Sequence, residues 1–416
     1  MSDTQKHTKP NVPNLRFPVF EGEWERMKAT DLLDFFSTNS LSWEQLEYGG
    51  NGLLNLHYGL IHNGLPTQID INESSLPAIK AGNEPRKFTL CKKGDIAFAD
   101  ASEDTNDVGK VVEFVDCAGK NVVCGLHTIH GRDKLDKTVP GFKGYAFSSK
   151  AFHDQIKRIA QGTKVFSISA GSFDEVCIGI PGKEEQKKIA ALLSLIDQRI
   201  IIQNKVIEDL ITLEKEIVNY VFKTLNTVSV PLSNIAERVT TRNTNTLCDN
   251  VLTISARDGL ISQLDFFNKS VASQNLSNYI LLKRGDFAYN KSYSADHPWG
   301  AIKHLEIYDE GVLSPLYFCF RPIKGHIDTD YLQLYFETDL WHKHISDISV
   351  EGARNHGLLN MSVGDFMALP VPVPELNIQH DIARSLKSLR NKKSNEMKYR
   401  EFLLRQKTYL LSHLFL

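Results

Sequence analysis

The sequence has few cysteines, and none of them form the pairs that bind metals or carry redox chemistry. Six cysteines occur among 416 residues, and no two stand in a Cys-x-x-Cys motif. This scarcity excludes a disulfide framework and indicates a reducing compartment. The nearest cluster is Cys117-x6-Cys124-x2-His127-x2-His130. It reads as one strand running into a turn, on which ligands three apart alternate between faces. We therefore predict no metal site.

Long apolar runs are also absent. The longest stretches, such as residues 189–196, fall short of the roughly 18 residues that a membrane span needs. The first twenty residues are polar, contain Pro10, Pro13 and Pro18, and have no apolar signal-peptide core. We expect a chain with no membrane segment and a cytoplasmic location.

The motifs of common nucleotide-dependent and metal-dependent enzymes are missing. There is no Gly-x4-Gly-Lys-Ser/Thr loop, no Gly-x-Gly-x-x-Gly and no His-Glu-x-x-His. The Asn/Asp-Pro-Pro-aromatic motif of amino-methyltransferases is excluded because no Pro-Pro pair occurs. Glu185-x-Lys187 has the spacing of a nuclease motif, but it falls in the first turn of a predicted helix, and we interpret it as solvated surface. We predict no catalytic residue and no cofactor in this chain.

Excess positive charge is lacking as well, since the net charge is −2. Residues 1–180 carry 20 Lys and Arg against 23 Asp and Glu, and residues 226–373 carry 12 against 16. This balance excludes a simple polycationic nucleic-acid binder. It leaves room for a DNA reader whose positive charge is local or is supplied by partner subunits.

What the sequence does contain is an internal repeat. Two motifs recur 193 residues later: Ser169-x-Gly171-x-Phe173 as Ser362-x-Gly364-x-Phe366, and Gln186-x-x-Ile189-Ala190 as Gln379-x-x-Ile382-Ala383. A fainter match at a distance of 191 residues relates Lys93-Gly94-Asp95 to Arg284-Gly285-Asp286. Matched motifs in the same order predict a tandem duplication with a pseudo-two-fold relation between its halves.

Each copy ends in a long helical segment. Residues 184–223 and 377–416 contain no glycine or proline, and apolar residues three or four apart predict coiled-coil helices, the first about 60 Å long. The second seam is rougher, with Lys393, Glu396 and Arg400 in its middle, so its register stays open. We predict that the two helices pair as an antiparallel coiled coil through Ile189, Leu193, Ile196, Ile200, Ile207, Leu210, Leu213, Ile217, Ile382, Leu386, Leu389, Leu403 and Leu410.

The segments before the helices are rich in short strands separated by turn residues. We predict strands over residues 110–115, 121–125, 251–255 and 313–320, and short helices over 149–159 and 330–345. The fold class is therefore α+β, with two strand-rich modules and two long helices. The predicted boundaries are an extended tail at 1–19, modules at 20–180 and 226–373, and helical segments at 181–225 and 374–416.

Loops after predicted strands supply candidate DNA contacts, because their side chains can reach base edges or phosphates. In the first module this loop is acidic. The candidates there are Ser102, Thr105 and Asn106. In the second module they are Arg257, Asn290, Lys291, Ser292, Tyr293, His297, Arg354, Asn355 and His356. A solvated turn is an equally good interpretation of any one of these loops.

The arrangement resembles the specificity (S) subunit of Type I restriction–modification systems. The resemblance rests on Ile178-Gly-Ile-Pro181 followed by Gln186-x-x-Ile189-Ala190, and on the partial repeat Val371-Pro-Val-Pro374 followed by Gln379. Phe20-Glu-Gly-Glu-Trp24 also looks like the entry to that family's first module. The resemblance covers essentially the whole chain.

This resemblance implies two target recognition domains, each reading one half of a bipartite, asymmetric site in double-stranded DNA. The paired helices would set the spacer between the half-sites. Two methyltransferase (M) subunits would use S-adenosylmethionine to methylate a flipped adenine in each half-site. Two restriction and translocase (R) subunits would use ATP and Mg²⁺. The chain itself would be non-catalytic.

Two other classes of function stay open at this point. A coiled-coil protein–protein scaffold would show no sequence-dependent DNA binding even with partners present. A stand-alone methyltransferase or nuclease with degenerate motifs would modify DNA without partners. Within the leading class, the M and R partners can be separate or fused.

Overall fold

The chain divides into two compact units. The first consists of Met1–Lys205 and Met397–Leu416, and the second of Val206–Glu396. The structure, a computed structural model, describes all residues except 1–10, 51, 226, 245–247, 256–258, 268–274, 293–296 and 350–358. Each unit thus holds one strand-rich segment together with part of each long helix.

The first unit contains thirteen described strands and four short α-helices. In chain order the strands are β1 (Glu25–Lys28), β2 (Leu33–Phe36), β3 (Leu46–Glu47), β4 (Leu54–Leu56), β5 (Gln68–Asp70), β6 (Ala78–Ile79), β7 (Ile96–Ala99), β8 (Ala101–Ser102), β9 (Val111–Asp116), β10 (Val122–Cys124), β11 (Thr128–Asp133), β12 (Phe166–Ser167) and β13 (Cys177–Ile180). The helices are α1 (Ala29–Leu32), α2 (Tyr58–His62), α3 (Phe142–Ala146) and α4 (Lys150–Ile159).

Two long helices follow the strand-rich segments. They are α5 (Lys183–Thr224) and, at the C-terminal end, α10 (Leu376–His413). Pro181-Gly182 precedes α5, and Glu184 and Glu185 in its first turn suit the positive end of the helix dipole. The absence of glycine and proline lets both helices continue without a break.

The second unit contains ten described strands and four shorter helices. The strands are β14 (Ser229–Pro231), β15 (Ala236–Arg238), β16 (Leu252–Ser255), β17 (Gly259–Ser262), β18 (Ile280–Lys283), β19 (Phe287–Asn290), β20 (Ala301–His304), β21 (Glu310–Leu313), β22 (Phe318–Pro322) and β23 (Pro370–Pro372). The shorter helices are α6 (Gln263–Phe267), α7 (Thr329–Phe336), α8 (His342–Ile348) and α9 (Val363–Met367).

The main sheet is mixed in the first unit and antiparallel in the second, and each unit is closed by its first and last strands. The sheet order is β2-β11-β7-β9-β5 in the first unit and β15-β22-β19-β20 in the second. The closing pairs are β1 with β13, where Met27 faces Ile178, and β14 with β23, where Val230 faces Val371. Both pairs are antiparallel and bring the start of a module next to the segment that enters its long helix.

The cores of the two units use equivalent aromatic residues. Phe98 in β7 contacts Phe173 with ring centroids 4.7 Å apart, and Tyr289 in β19 stacks on Phe366 at 4.8 Å. Phe173 and Phe366 are the aromatic residues of the repeated Ser-x-Gly-x-Phe motif, and both are fully buried. Burying one such side chain contributes about 1.5 to 3 kcal/mol, which gives this motif a packing role.

Two of the predicted elements are wrong. The run 313–320 is not one strand, because β21 ends at Leu313 and β22 begins at Phe318. The segment 330–345 is not one helix, because α7 ends at Phe336 and Thr338 Oγ1 donates a hydrogen bond to the carbonyl oxygen of Tyr335 at 2.7 Å. Side-chain hydrogen bonds of this kind compete with the helix backbone and favour a turn.

The prediction that residues 124–130 form one strand is also wrong. Strand β10 ends at Cys124 and β11 begins at Thr128, and a turn containing His127 (φ +53°) separates them. Gly125 allows this turn, since a Cβ there would lie 2.0 Å from Asn55 Oδ1. Cys124 and His130 are consequently free to face the same interior, while His127 faces Asp100.

Candidate nucleic-acid interface

The candidate loop of the first module follows β7 and is held by its own side chains. Ser102 Oγ accepts a hydrogen bond from the backbone N–H of Asp104 at 3.1 Å. Asn106 donates from its backbone N and from Nδ2 to Asp104 Oδ1 at 2.8 and 2.9 Å. Lys157 of α4 donates to Asn106 Oδ1 at 2.7 Å, and Thr105 is half-buried. Ser102 thus ends β8, Thr105 and Asn106 lie in the loop that follows it, and Lys157 lies beside that loop.

The sequence analysis missed a cluster of ring side chains that lies next to this loop. His62 Nε2 lies 2.9 Å from the carbonyl oxygen of Ala101. The ring of Tyr58 contacts those of His62 and His127, with centroids 5.8 and 5.1 Å apart, and His127 Nδ1 lies 3.1 Å from Asp100 Oδ1. Rings can stack on bases and imidazoles can bond phosphates, so the cluster is a candidate contact surface.

Two further rings extend this cluster. His57 lies 4.4 Å from Trp43 and 4.7 Å from Tyr58 between ring centroids, and Trp43 is 42% exposed. Burial and, secondarily, the charge of His127 lower the pKa of His57. The His57-Tyr58 pair is visible in the sequence, but only the folded chain places it near the loop after β7.

The candidate loop of the second module leaves β19. Asn290 Oδ1 accepts a hydrogen bond from the backbone N–H of Ser292 at 3.0 Å, and Lys291 Nζ lies 4.6 Å above the ring of Phe318. His297 is exposed, and its carbonyl oxygen accepts from the backbone N–H of Gly300 at 3.1 Å. These candidates lie in one segment at the end of β19.

The other five predicted contacts of the second module lie outside the residues that the structure describes. They are Arg257, Tyr293, Arg354, Asn355 and His356. Their role in DNA binding stays a prediction.

The same ion pair, with a buried carboxylate, lies at the start of the strand before each loop. Arg132 Nε and Nη2 donate to the two carboxylate oxygens of Asp95 at 2.8 and 2.7 Å. Arg321 donates to Asp286 in the same way at 2.6 and 2.7 Å. Burial opposes the ionisation of Asp95, but hydrogen bonds from Arg132 and then His130 outweigh it and lower its pKa. The two loops thus leave equivalent strands, each within its own unit.

A buried glutamine joins each module to the helix that follows it. Gln186 accepts from the backbone N–H of Val139 at 2.9 Å and donates to the carbonyl oxygens of Lys137 and Pro181 at 2.9 and 2.8 Å. Gln379 accepts from the backbone N–H of Asp328 and donates to the carbonyl oxygen of Pro374, both at 2.8 Å. The glutamine of the repeated Gln-x-x-Ile motif thus bonds the first turns of each long helix to the module before it.

The predicted seam residues are removed from solvent to different degrees. The buried ones are Ile189, Leu193, Ile196, Ile207, Leu210, Leu386, Leu403 and Leu410. The half-buried ones are Ile200, Ile217, Ile382 and Leu389. Leu213 is a correction, because it is 44% exposed. The next position of the seam lies four residues after Leu210, at Glu214, and not three residues after it, at Leu213.

Glu214 pairs with Lys393, one of the polar residues in the middle of the second helix. Within the second unit it accepts from Arg390 Nε at 2.6 Å and pairs with Lys393 Nζ. Burial opposes the ionisation of Glu214, but hydrogen bonds from Lys393 and Arg390 outweigh it and lower its pKa. Within the first unit, Lys407 pairs with Asp197 at 2.6 Å, and Asp197 also accepts from the hydroxyl of Tyr145 at 2.9 Å. Each unit therefore has its own ionic contact between its parts of α5 and α10.

Glu185 is not the solvated residue that the sequence analysis predicted. It is 3% exposed and accepts from Arg16 Nε and Nη2, both at 2.8 Å. Leu15, which precedes Arg16, donates its backbone N–H to the carbonyl oxygen of His413 at 2.9 Å. The segment before β1 is thereby tied to both ends of the helical part of the first unit.

The architecture is that of one known class of fold, the S subunits of Type I restriction–modification systems. The S subunit from M. genitalium has a TM-score of 0.55 to this chain at 17% identity, covering 97% of this chain and 99% of that one. A chain from a structure on complex assembly and conformational transition of the type I R-M system has a TM-score of 0.54 at 12% identity, covering 93% and 96%. The resemblance predicted from the sequence is thus confirmed at the level of the fold.

Sequence comparison adds no relative to these structures. No protein-family model matches the chain, and no curated protein matches it. In the part of the chain that the structure describes, every helix is too short or too polar to cross a membrane.

Proposed function

We propose that this chain is the DNA sequence-specificity subunit of a Type I restriction–modification complex and performs no bond-making or bond-breaking step itself. The observation that carries the proposal is the likeness of nearly the whole chain to an S subunit. The absence of the enzyme motifs sought in the sequence agrees with it, because catalysis in such a complex is expected in partner subunits.

Each module reads one half of a bipartite site in double-stranded DNA. In both units the candidate loop follows a strand anchored by an Asp–Arg pair, which places loops of different sequence on equivalent supports. The first loop is acidic and has Lys157 beside it, whereas the second contains Asn290, Lys291 and Ser292. Different loops on equivalent supports suit an asymmetric site, since base readout depends on the side chains presented.

The helices set the spacer and recruit the partners. DNA advances about 34 Å per turn, so a fixed strut between two readers selects the number of base pairs between half-sites. We assign to this complex two M subunits that use S-adenosylmethionine and two R subunits that use ATP and Mg²⁺. Partner subunits that enclose the DNA supply many phosphate contacts, which suits a chain with a net charge of −2.

The experiment that tests the proposal is methylome sequencing of cells that carry this chain with its methyltransferase partner. We expect N6-methyladenine in a bipartite motif with a fixed gap, absent from cells that lack the chain. Absence of new methylation, with the partner expressed and bound, contradicts the proposal. Exchange of residues 226–373 for the second module of another S subunit then changes only one half of the motif. A change in both halves contradicts the modular assignment.

The strut has its own test in a pair of isoleucines on α5. Ile207 is 6% exposed and Ile211 is 50% exposed. Ile207→Asp places a charge in the buried seam, at a cost of several kcal/mol, and we expect loss of methyltransferase assembly or of spacer discrimination. Ile211→Asp is the matched control and retains both. Equal behaviour of the two variants would show that the seam does not act as the strut.

A further inference from the structure

Three side chains with soft or imidazole donor atoms converge in the first unit, beside the Asp95–Arg132 pair. The sulfur atoms of Cys91 and Cys124 lie 3.6 Å apart. Together with one ring nitrogen of His130 they lie within 4.8 Å of one another, and all three residues are buried. We propose that Cys91, Cys124 and His130 form a zinc-binding site.

The donor set and its spacing suit zinc. Thiolate and imidazole are the common ligands of structural zinc ions. Two sulfurs that each lie about 2.3 Å from a tetrahedral ion are about 3.8 Å apart, close to the 3.6 Å found between Cys91 and Cys124. A water molecule would take the fourth position.

His130 has the kind of carboxylate partner that a metal-bound histidine has. Its Nε2 lies 2.8 Å from Asp95 Oδ2. A metal-bound histidine characteristically donates its other ring N–H to a carboxylate, which sets the tautomer and the ring orientation. In the tautomer that places the Nε2 proton toward Asp95, Nδ1 carries the lone pair that would bind the ion. Arg132 and the backbone N–H of Lys92, the latter 2.8 Å from Asp95 Oδ2, hold that carboxylate in place.

Charge balance in this buried region also favours a divalent ion. Cys91 and Cys124 are both buried, so thiolates formed there need a positive partner. Zinc displaces two thiol protons, and the two thiolates then neutralise its charge. Asp95 is already neutralised by Arg132. The loaded site therefore adds no net charge to the interior, where an unpaired charge is costly.

The second unit shows that the fold does not need these residue types. Cys91 lies four residues before Asp95 and donates its backbone N–H to the carbonyl oxygen of Val122 at 2.8 Å. Leu282 lies four residues before Asp286 and pairs with Gly311. Cys124 lies two residues after Val122, and Leu313 lies two residues after Gly311. Cys124 and Leu313 therefore occupy equivalent positions.

The third position follows from the strand pairs beside the anchors. His130 pairs with Ala97, and Cys319 pairs with Ala288 at the equivalent place in β22 and β19. The second unit thus has Leu282, Leu313 and Cys319, all buried in one apolar cluster. Asp286 retains its arginine there without any histidine. Satisfying the anchoring aspartate therefore does not account for the Cys, Cys and His of the first unit.

A metal at this place would tie together segments that frame the candidate DNA loop. Cys91 precedes β7, Cys124 ends β10, and His130 lies in β11. The turn between β10 and β11 carries His127, which contacts Asp100 at the start of the loop. The zinc ion would cross-link these segments next to the candidate DNA loop of the first module. The equivalent positions of the second unit lack this set of ligands.

The test is the metal content of the purified full-length chain. We expect one zinc per chain by mass spectrometry of the elements, and none in Cys91→Leu/Cys124→Leu. That double variant introduces the residues of the second unit, so it should fold, and circular dichroism checks that it does. Cys177→Ser, at a half-buried thiol of the same unit, is the matched control and retains the zinc. Cobalt loading should produce thiolate charge-transfer absorption in the wild-type chain and in Cys177→Ser, but not in the double variant.

Three results would overturn the proposal. The first is a reduced wild-type chain that takes up neither zinc nor cobalt. The second is zinc that persists in the folded double variant, because the ion would then lie elsewhere. The third is an intact mass lower by two hydrogens under non-reducing conditions, mapped to Cys91 and Cys124, which would identify the pair as a disulfide. None of these readouts depends on DNA binding, so their failure is distinct from failure of the proposed function.

Discussion

The two units share an ion-pair anchor but fill the space beside it differently. Asp95 with Arg132, and Asp286 with Arg321, are bonded in the same geometry next to equivalent strands. The first unit then packs two cysteines and a histidine against its anchor, whereas the second packs apolar side chains and a single thiol. Both units therefore keep the anchor, while the residues packed beside it differ.

The largest effect is expected from removing the arginine of each Asp–Arg anchor. Arg321→Met leaves the carboxylate of Asp286, 1% exposed, without its guanidinium, and we expect a loss of about 3 kcal/mol. Arg132→Met costs less, because Asp95 keeps His130 as a partner. Hydrogen exchange of β19 and β7 peptides measures each loss locally. Arg284→Met, which removes an exposed pair with Asp309, is the control and costs under about 1 kcal/mol. Equal losses at the two anchors would contradict the role of His130.

A smaller effect is expected at the two buried glutamines. Gln186→Leu abolishes three hydrogen bonds and Gln379→Leu two. Each change leaves buried backbone groups unsatisfied and costs about 1 to 3 kcal/mol, more for Gln186. Thermal unfolding followed by calorimetry gives the order. Gln198→Leu, at an exposed glutamine of α5, should be neutral. A reversed order would mean that the bonds at Gln186 are weaker than their geometry indicates.

The smallest effect concerns the ionic contacts of the helices and is dependent on pH. The pKa of Glu214 is lowered in the folded chain, so its stabilising contribution is present above the unfolded pKa of about 4.3 and is lost as the pH falls through the folded pKa. Glu214→Gln should therefore destabilise the second unit at neutral pH by up to about 1 kcal/mol and have little effect in acid.

Urea unfolding at neutral and acidic pH measures that difference. Asp197→Asn is the matched change in the first unit, where the Tyr145 hydroxyl remains available to the amide oxygen. A Glu214→Gln penalty that persists unchanged in acid would show that the loss comes from packing rather than from charge.

Local patterns were sufficient for the elements whose partners lie nearby in sequence. The long helix was predicted over residues 184–223 and spans Lys183–Thr224, because periodicity and the absence of breakers are properties of one segment. The helix 149–159 was predicted equally well, with Ser149 as its N-cap accepting from the backbone N–H of Phe152. The same reasoning failed at 313–320 and 330–345, where turns interrupt continuous apolar runs.

The errors at individual side chains have a common cause. Leu213 was preferred to Glu214 because the seam was assigned from apolarity, whereas Glu214 is matched by cations from a helix some 180 residues away. Glu185 was interpreted as solvated because its partner Arg16 precedes the whole module. A sequence pattern carries no information about a charge that is brought close only by folding.

The sequence by itself determined the repeat, the two long helices and the class of fold that they define. These follow from spacing and composition along the chain, which act locally. Only the tertiary structure decided which polar residues are buried, that Cys91 meets Cys124 and His130, and that His57, Tyr58, His62 and His127 gather beside the first candidate loop. Those juxtapositions depend on strand register and on turns such as Gly125–His127, where a shift of one residue would turn every side chain to the opposite face.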